Sequence, residues 1–181
     1  MAITINGSGT ITGVSAGGLP DNCITADDLA TTLDLSGNTI TLPSGTGGKV
    51  LQVVSSNYTT ENANSTTSAS FIDTGLSATI TPSSTSSKIY MICHFGHRHA
   101  ASDTDSHFAL YKGDSTLLTR AFIYSYTNAD MRTSSSLTYL HSPSTTSSTT
   151  YKLKYRCNGS KTVYFNTSNQ NSTLTLMEIA G

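Results

Sequence analysis

A run of histidines in the middle of the chain is the most chemically suggestive feature of the sequence. In the hexapeptide His94-Phe95-Gly96-His97-Arg98-His99, the side chains of His97 and His99 share one face if the chain is extended. Two imidazoles at this spacing are typical of a transition-metal site, which needs at least one further ligand. The nearby candidates for that ligand are Asp103, Asp105 and His107.

The alternative interpretation, which the sequence favours, is that these histidines lie in a loop or at the end of a sheet, within a polar segment between two strands that carries recognition. No HExxH motif accompanies the histidines, and the Asp103-Thr104-Asp105 segment lacks the glycine and distal glutamate of an EF-hand. We therefore predict no metal and no cofactor. Loops between strands commonly carry binding residues. The candidate binding residues are His97, Arg98, His99, Asp103 and Asp105.

Catalytic signatures are weak elsewhere in the chain. The sequence holds no GxSxG nucleophile motif and no GxxxxGK[ST] phosphate loop. Most carboxylates lie in predicted loops, and the chain has no Trp that could form a sugar platform in a hydrolase cleft. We predict that the protein is not an enzyme, with a small glycan hydrolase as the disfavoured alternative.

Composition excludes several classes of protein. Charged residues are 12% of the 181 residues and the net charge is −1, which argues against nucleic-acid binding. About a third of the chain is Ser or Thr. We expect neither a secretory signal nor insertion into a membrane, because no apolar run is long enough. Cys23, Cys93 and Cys157 are odd in number and widely spaced, which predicts small buried thiols.

Short strand-like segments fill residues 49–181. Ser, Thr, Asn and Gly clusters separate them, and no amphipathic helix intervenes, so the sequence predicts an all-β antiparallel sandwich or barrel. The clearest alternation is at residues 151–157, with Tyr, Leu, Tyr and Cys on one face and Lys, Lys and Arg on the other. The predicted strands are 49–55, 69–73, 76–81, 88–95, 107–112, 117–126, 134–141, 151–157, 161–166 and 173–179.

Two strand faces are candidates for contacts between subunits. In residues 88–95 the alternate face, with Tyr90 and Ile92, is also largely apolar, so a loop or another subunit should cover it. Phe122, Tyr124 and Tyr126 form an aromatic stripe that fits either the core or a subunit contact, and the sequence favours the core. An open sandwich has edge strands that closed self-association would cover, so we predict a homo-oligomer.

Residues 1–48 have a different character from the rest of the chain. They are rich in Gly and contain no aromatic residue, although residues 25–30 favour a short helix and residues 33–42 a hairpin. So little apolar bulk cannot offset the entropy lost on ordering. We predict a short, extended N-terminal segment, residues 1–48, that orders against a partner, with disorder as the alternative, followed by a sandwich domain at residues 49–181.

A resemblance enters at residues 73–89. Their sequence, DTGLSATITPSSTSSKI, resembles a module of tailed-bacteriophage virion proteins, especially in cyanophages and other aquatic phages. The segments KVLQVVS and STLTLMEIAG near the ends of the domain are similar to the same module, and GSGTITGVSAGGLPD resembles the head of phage fibre proteins. The resemblance implies a jelly-roll-like sandwich, a homotrimer, and an N-terminal segment that attaches to other virion proteins.

Two virion roles remain open at this point. In the first, the chain is a fibre or appendage protein whose sandwich forms an exposed knob that could bind host-surface glycans. In the second, it is a capsid decoration or cement protein that stabilises the head shell. Both roles place the protein in the virion after synthesis in the host cytoplasm, and the fibre role is favoured because of the N-terminal pattern.

Overall fold

The computed structural model describes residues 49–61, 64–126, 130–158, 161–167 and 170–181, and these form an all-β domain. Within those ranges no helix could serve as an apolar membrane span. The described residues do not include the predicted N-terminal segment, residues 1–48, with its predicted helix, hairpin and attachment to a partner, and they do not include Cys23. The strands are β1 Val50–Tyr58, β2 Asn64–Thr66, β3 Ile72–Ile80, β4 Lys88–His99, β5 Thr104–Lys112, β6 Thr116–Ser125, β7 Met131–His141, β8 Thr149–Cys157, β9 Val163–Phe165 and β10 Ser172–Ile179.

Two antiparallel sheets make up the domain. In sheet A, β7 pairs with β4 along most of its length, while β10 and β9 share the other edge of β4, and β1 and β2 lie outside them. Sheet B has the order β3-β8-β5-β6. Counting only the eight long strands, sheet A reads first-eighth-third-sixth and sheet B second-seventh-fourth-fifth. This winding is that of a jelly roll, so the predicted antiparallel jelly-roll sandwich is confirmed.

The core lies between the inner faces of the two sheets. Alternate residues of β4 and β8 are fully buried there, which follows from the two-residue period of a strand. Phe95 of sheet A stacks on Phe108 of sheet B with 4.5 Å between ring centroids, and Tyr155 stacks on Phe108 in turn. Cys93 and Cys157 are free and buried, as predicted.

Several strand boundaries differ from the prediction: β1 ends three residues later and β5 and β7 each begin three residues earlier than expected, and three further differences change the course of the chain. The segments predicted at 69–73 and 76–81 are parts of one strand, β3, because a bulge with Gly75 at φ 86° carries the strand past the glycine. The short β2 was not predicted. β4 continues past residue 95 to His99, so the stretch predicted to be a loop begins four residues later than expected.

Candidate functional site

His97 and His99 lie inside the sandwich. The alternation that buries Phe95 continues to both histidines, and neither side chain is exposed. Nε2 of His97 shares a hydrogen bond with Oγ of Ser135 at 3.0 Å, and Nε2 of His99 shares one with Oγ of Ser106 at 2.8 Å. Both residues lie at the end of β4, which is one of the two predicted placements, and the other, an exposed loop that binds a ligand, is wrong for them.

Their burial sets the charge of the two imidazoles. Desolvation, together with the charge of the neighbouring His99, whose ring centroid lies 5.5 Å away, lowers the pKa of His97 to about 4. Desolvation also lowers the pKa of His99, against the opposing charge of Asp105. Both rings are thus neutral at pH 7. In the described part of the chain, no three His, Cys, Asp or Glu side chains lie close enough to hold a metal ion.

The other three candidate binding residues lie at the surface but not together. Arg98 points away from the core and forms an ion pair with Asp130. Its Cζ lies 4.7 Å from the ring centroid of Tyr164, so the guanidinium covers that ring. Asp103 occupies a turn at φ 49°, where its Oδ1 accepts a hydrogen bond from Oη of Tyr124 at 3.3 Å. Asp105 belongs to β5, and its carboxylate accepts the backbone N–H of Asn158. Asp103 and Asp105 thus border the aromatic stripe, whereas Arg98 belongs to sheet A.

A chain of aromatic rings crosses the outer face of sheet B, and we call it the aromatic band. Neighbouring ring centroids in the band lie between 4.3 and 6.5 Å apart. Phe122 is 59% exposed and Tyr126 82% exposed, so the favoured interpretation of their stripe as core is wrong. The rings in contact order are those of Tyr126, Tyr124, Phe122, His107, Phe71 and Tyr111.

Cationic side chains accompany the inner part of the aromatic band. The guanidinium of Arg156 lies 5.3 Å from the ring centroid of Phe71 and donates hydrogen bonds to the carbonyl of Ala69 and to Nε2 of His107. Nζ of Lys154 lies 5.1 Å from the ring centroid of Tyr111 and donates to the carbonyl of Asp114. Both cationic groups therefore already form ring contacts and hydrogen bonds within the domain.

The outer face of sheet A has a different chemistry. Val53 pairs with Met177, Met177 with Tyr90, and Tyr90 with Leu140, so four strands place their side chains in one line across the sheet. We call these four residues the apolar row. Val53 is 56% and Leu140 49% exposed, and no member of the row carries a charge. Ile92 lies beside it on the same face of β4, partly buried like Tyr90.

Sequence reasoning found one of the four members of the apolar row and three of the six rings of the aromatic band. It identified Tyr90 and Ile92 but not Val53, Met177 or Leu140, because their alignment depends on register between distant strands. It identified three rings of the aromatic band but not Phe71, His107 and Tyr111, which join them through the pairing of β5 with β6 and β8. The apolar residues Leu51 and Val53 at alternate positions of β1 were the available signal for the apolar row, whereas β7 has only Leu140 on this face after a run of Ser and Thr.

Comparison with known proteins adds little to this geometry. No family model matches the sequence, and no curated protein matches it significantly. Among solved structures, the chain is similar to the VP2 subviral particle of infectious bursal disease virus, with 15% identity and a TM-score of 0.35. The alignment covers 85% of this chain and 46% of that one, so the chain spans less than half of that structure. So loose a likeness carries no argument, and the jelly-roll assignment rests on strand order alone.

Proposed function

We propose that the chain is a non-enzymatic structural protein of a tailed-phage virion, of the fibre or appendage type. Residues 1–48 attach it to other virion proteins, and the jelly-roll domain is displayed as a knob. The resemblance of residues 73–89 to phage virion modules supports this role, as does the strand order of the domain. One fold serves many functions, so the role of this domain depends on its surfaces.

The apolar row is the observation that carries the proposal. A line of uncharged side chains across four strands is costly to leave in water, and such a face usually marks a contact with another protein. Because the row carries no charge, identical copies do not repel one another when their sheet A faces converge. We propose that three copies meet there around a threefold axis, which gives the domain a closed, symmetric assembly.

The polar groups of the domain support a structural role. The imidazoles of His97 and His99 are enclosed in the core and bonded to serine hydroxyls. The carboxylates of Asp114 and Asp130 are held in ion pairs with lysine and arginine side chains. Groups that are engaged in this way stabilise the fold and are poorly placed for acid–base work on a substrate.

Counting and locating the chain in purified phage particles tests the proposal. A fibre or appendage protein is expected in few copies per particle, with antibody labels at the tail or at discrete appendages. Quantitative mass spectrometry gives the copy number relative to the major shell protein, and immunogold electron microscopy gives the position. A copy number comparable to the shell protein, with labels over the head, would instead identify a decoration protein. Absence from the particle would overturn any virion role.

A further inference from the structure

We propose that the aromatic band on sheet B is a binding site for a neutral polysaccharide chain. The inference rests on the geometry of sheet B and is independent of the virion role, because its test needs only the isolated protein. The site centres on Phe122, Tyr124 and Tyr126, with Asp103 at its border.

The exposed rings supply the stacking surface. Phe122 and Tyr126 are the most exposed large hydrophobic side chains of the described residues, and Tyr124 lies between them with centroid distances of 6.3 and 4.3 Å. The C–H face of a pyranose packs well on the electron-rich face of an aromatic ring. A line of several rings therefore suits a chain of sugars better than it suits a single small molecule.

Polar groups beside the rings match the hydroxyls of such a ligand. The carboxylate of Asp103 accepts a hydrogen bond from the phenol of Tyr124 and retains further lone pairs that a sugar hydroxyl could reach. The phenol oxygen of Tyr124 can itself accept a bond from a sugar hydroxyl. Aromatic surfaces with a few well-placed polar groups are typical of ligand sites.

The charges around the aromatic band argue for a neutral ligand. Lys152 pairs with Asp73 at 3.2 Å and with Asp114 at 2.6 Å, while Lys154 and Arg156 bond to carbonyls or rings of the domain. The fourth cation of this face, Arg120, is exposed two residues before Phe122 on the same side of β6, and no side chain among the described residues pairs with it. Nucleic acids and acidic polymers are held by several cations that are free to contact them, whereas this face offers one free arginine and has the carboxylate of Asp103 at its other border. The polarity of this face also distinguishes it from the apolar row, which fits a second copy of the chain better.

Binding of neutral hexasaccharides to the full chain tests the inference. The probes are maltohexaose, cellohexaose and chitohexaose, each titrated by saturation-transfer difference NMR and calorimetry. We expect saturable binding of at least one probe, weakened about tenfold or more in the variant F122A/Y126A. Leu51→Ala, which removes an apolar group that is 49% exposed on β1 of sheet A and lies outside the apolar row, should leave the affinity unchanged. Tyr126→Phe should retain most of it, because the ring remains.

Three results would overturn the inference. The first is the absence of saturable binding for all three hexasaccharides. The second is tight, salt-dependent binding of oligothymidylate that F122A/Y126A abolishes, which would make the band a nucleic-acid site. The third is a change of native mass in F122A/Y126A, which would make it a subunit contact. The single variant Tyr126→Ala, at a position 82% exposed, keeps the test valid if the double variant folds poorly.

Discussion

Met177 of β10 lies directly opposite Tyr90 of β4, and both side chains point away from the core. Their neighbours in the same strands, Leu176 and Met91, are also paired and are completely buried. Each of the two central strands of sheet A therefore buries one face in the core and presents apolar side chains on its outer face. This two-sided character was predicted for residues 88–95, and it leads to the proposed contact between copies.

The buried histidines should make the domain sensitive to mild acid. The pKa of His97 is lowered to about 4 in the folded state, against 6.5 for an ordinary histidine, so the unfolded chain binds more protons between these values. The contribution of His97 to the free energy of unfolding should be fully present above pH 6.5 and should fall as the pH drops toward 4. Urea unfolding across this range measures the slope, and His97→Gln should make it shallower. An unchanged slope in that variant would contradict the burial of a neutral imidazole.

A second loss of stability should follow at lower pH. Burial tends to raise the pKa of Glu178, but hydrogen bonds from Ser83 and Gln52 outweigh it and lower the pKa to about 2. A carboxylate with a depressed pKa stabilises the fold above its unfolded value of about 4.5, and the contribution is lost as the pH falls to 2. The variant Glu178→Gln replaces the carboxylate by an amide that does not titrate, so urea unfolding of that variant should lack this lower part of the pH dependence. A dependence that persists below pH 4.5 with the wild-type slope would assign it to other carboxylates.

Two phenylalanines in neighbouring strands should respond very differently to the same substitution. Phe108→Ala removes a fully buried ring that stacks on Phe95 and Tyr155, and should lower the free energy of unfolding by about 3–5 kcal/mol. Phe122→Ala, at a position 59% exposed, should change it by only about 0.5 kcal/mol. Urea unfolding followed by circular dichroism measures both. Equal losses would contradict the assignment of the two rings to opposite faces of sheet B.

Two glycines offer a matched test of the bulge in β3. Gly75 and Gly113 both have positive φ, so an alanine at either position should cost about 1–3 kcal/mol. At Gly75 the added Cβ would also lie 3.1 Å from Cε2 of Tyr58, whereas at Gly113 nothing lies within 4 Å. Gly75→Ala should therefore be the more destabilising variant in thermal unfolding. The reverse order would mean that the bulge does not bring Gly75 against Tyr58.

The fold class was largely predictable because the alternation of apolar and polar residues within each strand can be read without its neighbours. The alternation of residues 151–157 identifies one wet and one buried face without any knowledge of the neighbouring strands, and β8 has both. The break predicted within β3 was wrong because Gly75 looks like a turn residue in the sequence, whereas a bulge uses the same freedom without ending the strand.

The candidate sites were less predictable because they depend on pairing and burial. His97 and His99 were assigned to a loop or a sheet end because no metal-site motif accompanies them, and the sequence does not show that a neutral imidazole with a serine partner is compatible with a core. Phe122 and Tyr126 were interpreted as core because aromatic residues usually are buried, and no local pattern indicates that β6 turns this face outward. The alignment of Val53 with Leu140 requires the register of three strand pairs.

The native mass of the full chain tests the central claim, that the outer face of sheet A joins copies of the protein. We expect light scattering to give three times the 19.1 kDa of one chain for the wild type and for Tyr124→Glu, and 19.1 kDa for Tyr90→Glu, because a charge buried in the apolar row is costly. Circular dichroism should show intact β structure in all three proteins. A monomeric wild type, or dissociation by Tyr124→Glu and not by Tyr90→Glu, would contradict the account.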